Sequence, residues 1–215
     1  MLLGFSAVLG QIVLMRELIV VFNGNEMSLG IMLATWLFWS AIGSIACSTF
    51  DFGRSHTRWA VAVLECLLAV GLPMTIWALR AAKPLFQTVP GELVGPLPML
   101  LGSLACLSLF CAAAGALFVT ASRLNLTECG VSASAAVSTA YLLEAAGSAV
   151  GGLAASVVLL RFLESFQIAA VVFLLNLCMA VVLSRRMRFR QVVVLAGSVA
   201  MIAVPLLLLA APSLE

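Results

Sequence analysis

Four ionisable side chains lie inside apolar stretches of this chain: Arg16, Glu17, Glu65 and Glu144. A charge near the middle of a membrane helix costs about 2.5–3.5 kcal/mol on insertion scales, so each such group needs a partner or a function. Glu144 is the deepest, about nine residues or roughly 13 Å into its helix. Two hypotheses remain open for it: a structural clamp, neutral or hydrogen-bonded to Arg16 or Gln11, and a cation or proton site within the bundle.

The surroundings of Glu144 favour a position against protein rather than lipid. Four residues at helical spacing share its face: Tyr141, Gly147, Ser148 and Gly151. Two small-xxx-small pairs, Gly147 with Gly151 and Ser148 with Gly152, allow a second helix to approach closely. We therefore expect these small residues to form a helix-packing surface next to Glu144.

Other polar groups in the apolar stretches extend this candidate site. Arg16 and Glu17 are adjacent and point about 100° apart on a helix, so we expect them to contact different neighbours. Gln11 and Asn176 are typical of polar groups that join membrane helices. The candidate intramembrane polar site consists of Gln11, Arg16, Glu17, Glu65, Tyr141 and Glu144.

Two further features suggest helix termination and packing. Asn25 and Glu26 suit the N-cap and first turn of a helix, with a substrate gate as the alternative. Trp36 and Trp39 lie near mid-membrane, away from the interfacial belt, which favours bundle packing, with the lining of a cavity as the alternative.

No pattern typical of an enzyme or a metal site is present. His56, the single histidine, has no serine or cysteine constellation around it. The six cysteines show no CxxC spacing, and most lie in apolar stretches where a thiol behaves as a small hydrophobe. The glycine-containing run 147–152 follows no strand, so it is not a dinucleotide loop. We expect no metal and no cofactor.

Composition identifies the bilayer as the solvent. Hydrophobic residues make up 64% of the 215 residues and charged residues 9%, against roughly half and a quarter in soluble domains. The mean hydropathy is +1.21. A net charge of +2 without a basic face excludes a nucleic-acid partner.

The elements that position these residues are apolar segments, each long enough to cross a hydrocarbon layer about 30 Å thick. The chain is predicted to be a single all-α domain over 1–215, a polytopic membrane helix bundle of about seven transmembrane helices. The connecting segments are too short to hold a folded domain. The predicted spans are 2–22, 27–50, 59–79, 97–121, 135–160, 166–184 and 192–211.

Charge in the connecting segments predicts orientation, because cytoplasmic loops retain Lys and Arg. A cytoplasmic N-terminus places seven arginines inside: Arg54, Arg58, Arg123, Arg185, Arg186, Arg188 and Arg190. Only Arg80, Lys83 and Arg161 are then outside. The N-terminus has no basic region or cleavage site before Gln11, so we expect a retained first helix.

The polar positions of two segments resemble a known family. The first is Gly4-Phe5-Ser6, Gln11, Arg16-Glu17-Leu18, Phe22-Asn23-Gly24-Asn25-Glu26-Met27-Ser28-Leu29-Gly30 and Trp36-Leu37. The second is Tyr141-Leu142-Leu143-Glu144-Ala145-Ala146-Gly147-Ser148 with Gly151-Gly152 and Leu159-Leu160. Both resemble the transmembrane part of bacterial membrane-bound spermidine synthase-like proteins, the polyamine aminopropyltransferases.

The resemblance implies a bacterial inner-membrane module that, in many members, precedes a soluble aminopropyl-transferring domain. That domain has no counterpart in these 215 residues, so aminopropyl transfer is not assigned to this chain. Three hypotheses follow. The chain binds, senses or transports a polyamine or other amine; or it is a passive anchor or assembly scaffold, with its arginine-rich loop at 185–190 on anionic lipid; or it tethers a catalytic part beyond Glu215. A homo-oligomer is compatible with each of them.

Overall fold

The described residues of the computed structural model, 1–49, 54–86, 94–130 and 132–184, form helices joined by short connections. Six of these helices are long and apolar enough to cross a membrane. They are α1 (Leu2–Val21), α2 (Met27–Thr49), α3 (Arg54–Phe86), α4 (Pro96–Cys129), α5 (Ala133–Phe162) and α6 (Ser165–Ser184). Within α5, the α-helix Ala133–Ala154 continues through a π-helical turn, Ala155–Leu159, and a last turn, Leu160–Phe162.

The first six predicted spans correspond to these six helices. The seventh, 192–211, and the arginine-rich loop at 185–190 lie outside the described residues. The all-helical class is confirmed for the described part of the chain, and the sidedness of the N-terminus stays a prediction.

Two helices are longer than the apolar segments that predicted them. The expected third span, 59–79, is part of a helix from Arg54 to Phe86, and the expected fourth, 97–121, is part of a helix that ends at Cys129. Arg80 and Lys83 therefore lie on α3, not in a connecting loop as predicted. Hydropathy marks where the apolar run ends, but Arg and Lys are good helix formers and do not end the helix itself.

Local signals in the sequence explain where the helices begin and end. Asn23 and Gly24 have φ values of 56° and 80° in the turn after α1, a left-handed conformation that glycine and asparagine tolerate best. Asn25 Oδ1 accepts a hydrogen bond from the Met27 N–H at 3.0 Å, which caps the start of α2. At the end of α4, Gly130 has a φ of 64°, as in a left-handed C-cap.

Helices α2 and α4 pack side by side in the same direction. Trp39 Nε1 donates to the Leu104 carbonyl at 2.9 Å, and farther along, Cys47 Sγ lies 3.0 Å from Thr120 Oγ1. At the crossing point, a Cβ on Gly43 would collide with the Ala112 carbonyl. The absence of that Cβ brings the two backbones into contact, which is how small residues drive helix association in membranes.

Helices α1 and α5 form a second parallel pair of the same kind. A Cβ on Gly4 would collide with the Glu144 carbonyl, and one on Gly147 with the Met1 carbonyl. Gly151 faces Phe5, whose Cα would lie 3.1 Å from an added Cβ, and Gly152 lies next to Val8. The small residues predicted from the sequence therefore form the α1–α5 contact.

The two parallel pairs and α3 surround one apolar core, in which Phe110 is central. Its ring packs edge-on against Trp36 at 5.7 Å between centroids and fills the space next to Gly10 and Gly71. Helix α6 packs on α3 through Ala69 and Phe173. The core is thus assembled from aromatic rings set against glycines on neighbouring helices.

The α2–α4 contact gives a direct test of this packing. Gly43→Ala adds a methyl group against the Ala112 backbone, and we expect a loss of about 1–3 kcal/mol in free energy of unfolding, as for other overpacked sites. The matched control is Gly30→Ala on the same helix, where an added Cβ meets nothing within 4 Å. Unfolding of both variants in mixed micelles measures the difference; equal stability would contradict the close α2–α4 contact.

Candidate functional site

A polar cavity of about 270 Å3 lies between the two parallel helix pairs. Helices α1, α2, α4 and α5 each contribute to its wall. Its polar lining comes from Gln11 on α1, Ser40 and Ser44 on α2, and Glu144 and Ser148 on α5. Apolar side chains and the Gly115 backbone complete the wall. The cavity therefore unites two of the predicted candidate residues, Gln11 and Glu144, from helices that are distant in sequence.

The three serines face the cavity as hydrogen-bond acceptors. Ser40 Oγ donates to the Cys111 carbonyl at 3.3 Å, Ser44 Oγ to the Gly115 carbonyl at 3.1 Å, and Ser148 Oγ to the Gly4 carbonyl at 3.3 Å. A hydroxyl that has donated its single hydrogen retains only lone pairs. These bonds join the helices of each parallel pair and at the same time leave acceptor oxygens beside the cavity.

Glu144 is half-buried in this wall and makes no ion pair within the described residues. The clamp predicted from Glu144 to Arg16 or Gln11 is not formed: Gln11 shares the cavity without a hydrogen bond to Glu144, and Arg16 is exposed. The reason is the α1–α5 register, which places the Glu144 backbone against Gly4, about three turns from Arg16. The Glu144 carboxyl is thus left in the cavity wall without a side-chain partner, and the amino group of Met1 is a charged group that acts on it.

Two aromatic side chains contribute to the apolar part of the cavity wall. Trp36 lies in its wall and is almost fully buried, and Phe118 of α4 also contributes. The Trp36 ring packs on Phe110 and also lines the cavity, so it serves both of the roles that the sequence suggested for it. Trp39 serves packing alone: its indole N–H is bonded to the Leu104 carbonyl.

Tyr141 does not belong to the cavity. Its side chain is 64% exposed, although it lies three residues before Glu144. Residues three apart on a helix differ by about 60° in direction, and α1 packs on the side of α5 that carries Gly147 and Gly151. Tyr141, which the sequence placed on the same helix face as Glu144, is therefore an exposed residue outside the cavity wall.

Glu17 forms an ion pair that the sequence did not predict. Arg80 Nε donates to Glu17 Oε2 at 2.7 Å and Arg80 Nη2 donates to Oε1 at 2.8 Å, a bidentate geometry. The Arg80 guanidinium also lies 4.8 Å from the centre of the Phe166 ring. Glu17 thus joins α1 to α3 and α6, whereas the adjacent Arg16 is exposed.

Glu65 lies away from both of these groups. It is buried within the chain at 4% exposure. Its Oε2 has no hydrogen-bond partner among the described residues. The three glutamates predicted to form one negative site thus occupy three separate environments.

Sequence reasoning missed several functional positions for identifiable reasons. Ser40 and Ser44 were overlooked because serines are common in membrane helices. Trp36, Ser40 and Ser44 are spaced four residues apart, and this spacing could have indicated that they share one face of α2. Arg80 was assigned to a loop because it follows the apolar run. Within the described ranges, His, Cys, Asp and Glu side chains do not gather into a group of three or more that could hold a metal ion.

The Glu17–Arg80 pair can be tested by charge removal. Glu17→Gln leaves Arg80 without its carboxylate, and we expect a loss of about 2–3 kcal/mol in free energy of unfolding, below the range for fully buried pairs because the Arg80 side chain is 27% exposed. Arg16→Gln, on the adjacent exposed residue, should change it by less than about 0.5 kcal/mol. Similar losses in both variants would show that the pair does not stabilise the bundle.

Comparison with known proteins adds no assignment to this geometry. No protein-family model, curated protein or solved structure matches the chain. The resemblance to spermidine synthase-like membrane domains therefore depends on the residues quoted from the sequence. A function has to be argued from the chemistry of the cavity.

Proposed function

We propose that this chain is an inner-membrane domain of a bacterial spermidine synthase-like protein, with its N-terminus in the cytoplasm, that binds a small organic amine in the Glu144 cavity. The observation that carries the proposal is the chemistry of the lining. It has the Glu144 carboxyl, the Gln11 amide, three serine oxygens that have already donated their hydrogens, and no Lys, Arg or His side chain. An alkylammonium group, with one positive charge, three donors and no acceptor, is the complement of such a lining.

The size and aromatic content of the cavity support a small amine. Ligand pockets for drug-sized molecules measure roughly 300–1,000 Å3, and this cavity of about 270 Å3 lies just below that range. A flexible alkyl chain fits next to apolar side chains, and a cationic group is attracted to the face of an indole or phenyl ring. Trp36 and Phe118 supply such rings in the same wall as Glu144.

Polyamines combine these properties, since they carry ammonium groups on short alkyl chains. Binding at this site is compatible with sensing and with transport. Aminopropyl transfer stays outside the proposal, because the soluble domain that carries it in the family has no counterpart in these 215 residues. Glu144 and Gln11 are the side chains that we assign to amine recognition, with Ser40, Ser44 and Ser148 as supporting acceptors.

A scaffold function is the alternative, and the outer face of α5 favours it. This helix exposes large apolar side chains along its length, including Leu142, Leu153 and Phe162 at 68%, 67% and 73%. Such a face packs against lipid, against a second copy or against a partner helix. A chain that is only a scaffold has no reason to discriminate among small solutes.

Binding of putrescine and spermidine to the protein in lipid nanodiscs tests the proposal. We expect saturable binding of both amines, and none of 1,4-butanediol, which has a similar chain without charge. Glu144→Gln removes one charge-assisted hydrogen bond, worth about 1.5–3 kcal/mol, so we expect the Kd to rise about 10- to 150-fold.

Glu26→Gln is the matched control, because it removes an exposed carboxyl in the turn before α2 and leaves the cavity intact. It should retain the wild-type Kd. If neither amine binds the wild-type protein, or if the Glu26 and Glu144 variants lose affinity equally, the amine site is refuted and the scaffold alternative is preferred.

A further inference from the structure

A second polar site lies on a neighbouring face of α1, at the junction of α1, α3 and α6. Three polar side chains are buried there, one on each helix: Ser6, Glu65 and Asn176 at 0%, 4% and 0% exposure. None of them lines the Glu144 cavity. Such complete burial of polar groups in a membrane bundle requires that their hydrogen bonds be made to one another or to a ligand.

The Asn176 amide has a fixed orientation. Its Nδ2 donates to Ser6 Oγ at 2.8 Å and to the Val172 carbonyl at 2.7 Å. Because a backbone carbonyl can only accept, the NH2 group and not the oxygen must face Val172. Asn176 Oδ1 is consequently directed away from both partners, and it has no hydrogen-bond partner among the described residues.

Helix register brings this oxygen to the level of Glu65. Helices α3 and α6 run antiparallel, because Arg80 contacts Phe166 near one end and Ala69 clusters with Phe173 farther along. Glu65 lies one turn before Ala69, and Asn176 lies one turn after Phe173. Because the helices are antiparallel, one turn backwards along α3 and one turn forwards along α6 move in the same direction through the bundle. Both residues also stay on the surfaces that face each other. Glu65 and Asn176 are therefore placed at one depth between α3 and α6.

Helix α1 has a matching register. The Phe110 ring occupies the space next to both Gly10 and Gly71, so these glycines of α1 and α3 lie at one level. Ser6 is four residues before Gly10, and Glu65 is six residues before Gly71, which places them within about one turn of each other. The three buried polar residues thus share one depth on three mutually packed helices.

We propose that Glu65 is a membrane-embedded proton-binding site, in which the carboxyl group holds a proton and donates it in a hydrogen bond to Asn176 Oδ1. An ionised carboxylate only accepts, so it cannot satisfy a second acceptor. One proton on Glu65 Oε2 converts that oxygen into a donor and provides a partner for both unpaired oxygens at once. The proton comes from water and returns to it, and no other bond forms or breaks.

One described charge acts on Glu65 from the start of α1, the amino group of Met1. No described cationic side chain lies within ion-pair distance of Glu65, so among the described groups only that amino group offsets the cost of a carboxylate in an apolar interior. On α1, Arg16 and Glu17 are about three turns away, and Glu17 is paired with Arg80. Three helices pack around α3: α1, α4 and α6. The remaining described ionisable side chains on α4 and α6 are Arg123 and the thiols of α4, and Cys178 of α6. Those on α3 itself are His56, Arg58, Cys66 and Lys83.

Infrared difference spectroscopy of the protein in lipid nanodiscs tests the proposal. The C=O stretch of a protonated carboxyl is separate from the amide bands. At about pH 7, where a glutamate with an ordinary pKa near 4.3 is ionised, we expect this band in the wild-type spectrum and its loss in Glu65→Gln. Glutamine keeps a donor for Asn176, so this variant should fold. Glu144→Gln is the matched control and should retain the Glu65 band.

A second variant tests the partner. Asn176→Leu removes the acceptor that stabilises the protonated form, so the Glu65 band should shift in frequency and disappear at a lower pH than in the wild type. Absence of a Glu65-dependent band at about pH 7 would overturn the proposal. So would a band that appears only when Na+ is replaced by a bulky organic cation, since the site would then bind a metal ion and not a proton.

Discussion

The bilayer supplies no hydrogen-bond partners, so the polar groups of a membrane bundle must be satisfied by the chain itself. In this protein the close approach of backbones at glycines meets that constraint. Where Gly4 and Gly43 bring helices into contact, serine hydroxyls of one helix reach carbonyls of the next. The contacts within the α1–α5 and α2–α4 pairs are therefore tight. The space between the two pairs is left as a cavity, bordered by the same serines that hold each pair together.

Helix α1 connects the polar regions of the bundle, because its faces have different partners. Glu17 is held by Arg80, Ser6 is bonded to Asn176, and Gln11 faces the cavity with Glu144. The physical distinction among the three glutamates is their pairing. A carboxylate in a bidentate pair is an element of structure, whereas one in the wall of a cavity without a side-chain partner can take a ligand, and one that is buried and unpaired favours a proton.

The sequence was sufficient to predict the elements and part of the packing. Apolar runs located the six described spans, and the small residues at Gly147 and Gly151 correctly indicated a close helix contact, because both signals are local. It was not sufficient to predict which side chains meet. Arg80 was expected in a loop, since hydropathy does not detect a helix that extends past its apolar run. Tyr141 was expected beside Glu144, since helical spacing alone does not define how wide a strip of α5 is covered by α1.

The central claim is that an accessible, amine-binding cavity lies on one face of α1, next to a closed packed face. Cysteine accessibility tests it directly: Ala7→Cys places a thiol in the cavity wall, and Ser6→Cys places one on the buried neighbouring face. In a background with the native cysteines replaced, a cationic thiol reagent should label position 7 and not position 6, and spermidine should slow that labelling. Equal labelling at both positions, or labelling at position 7 that spermidine does not affect, would contradict the account.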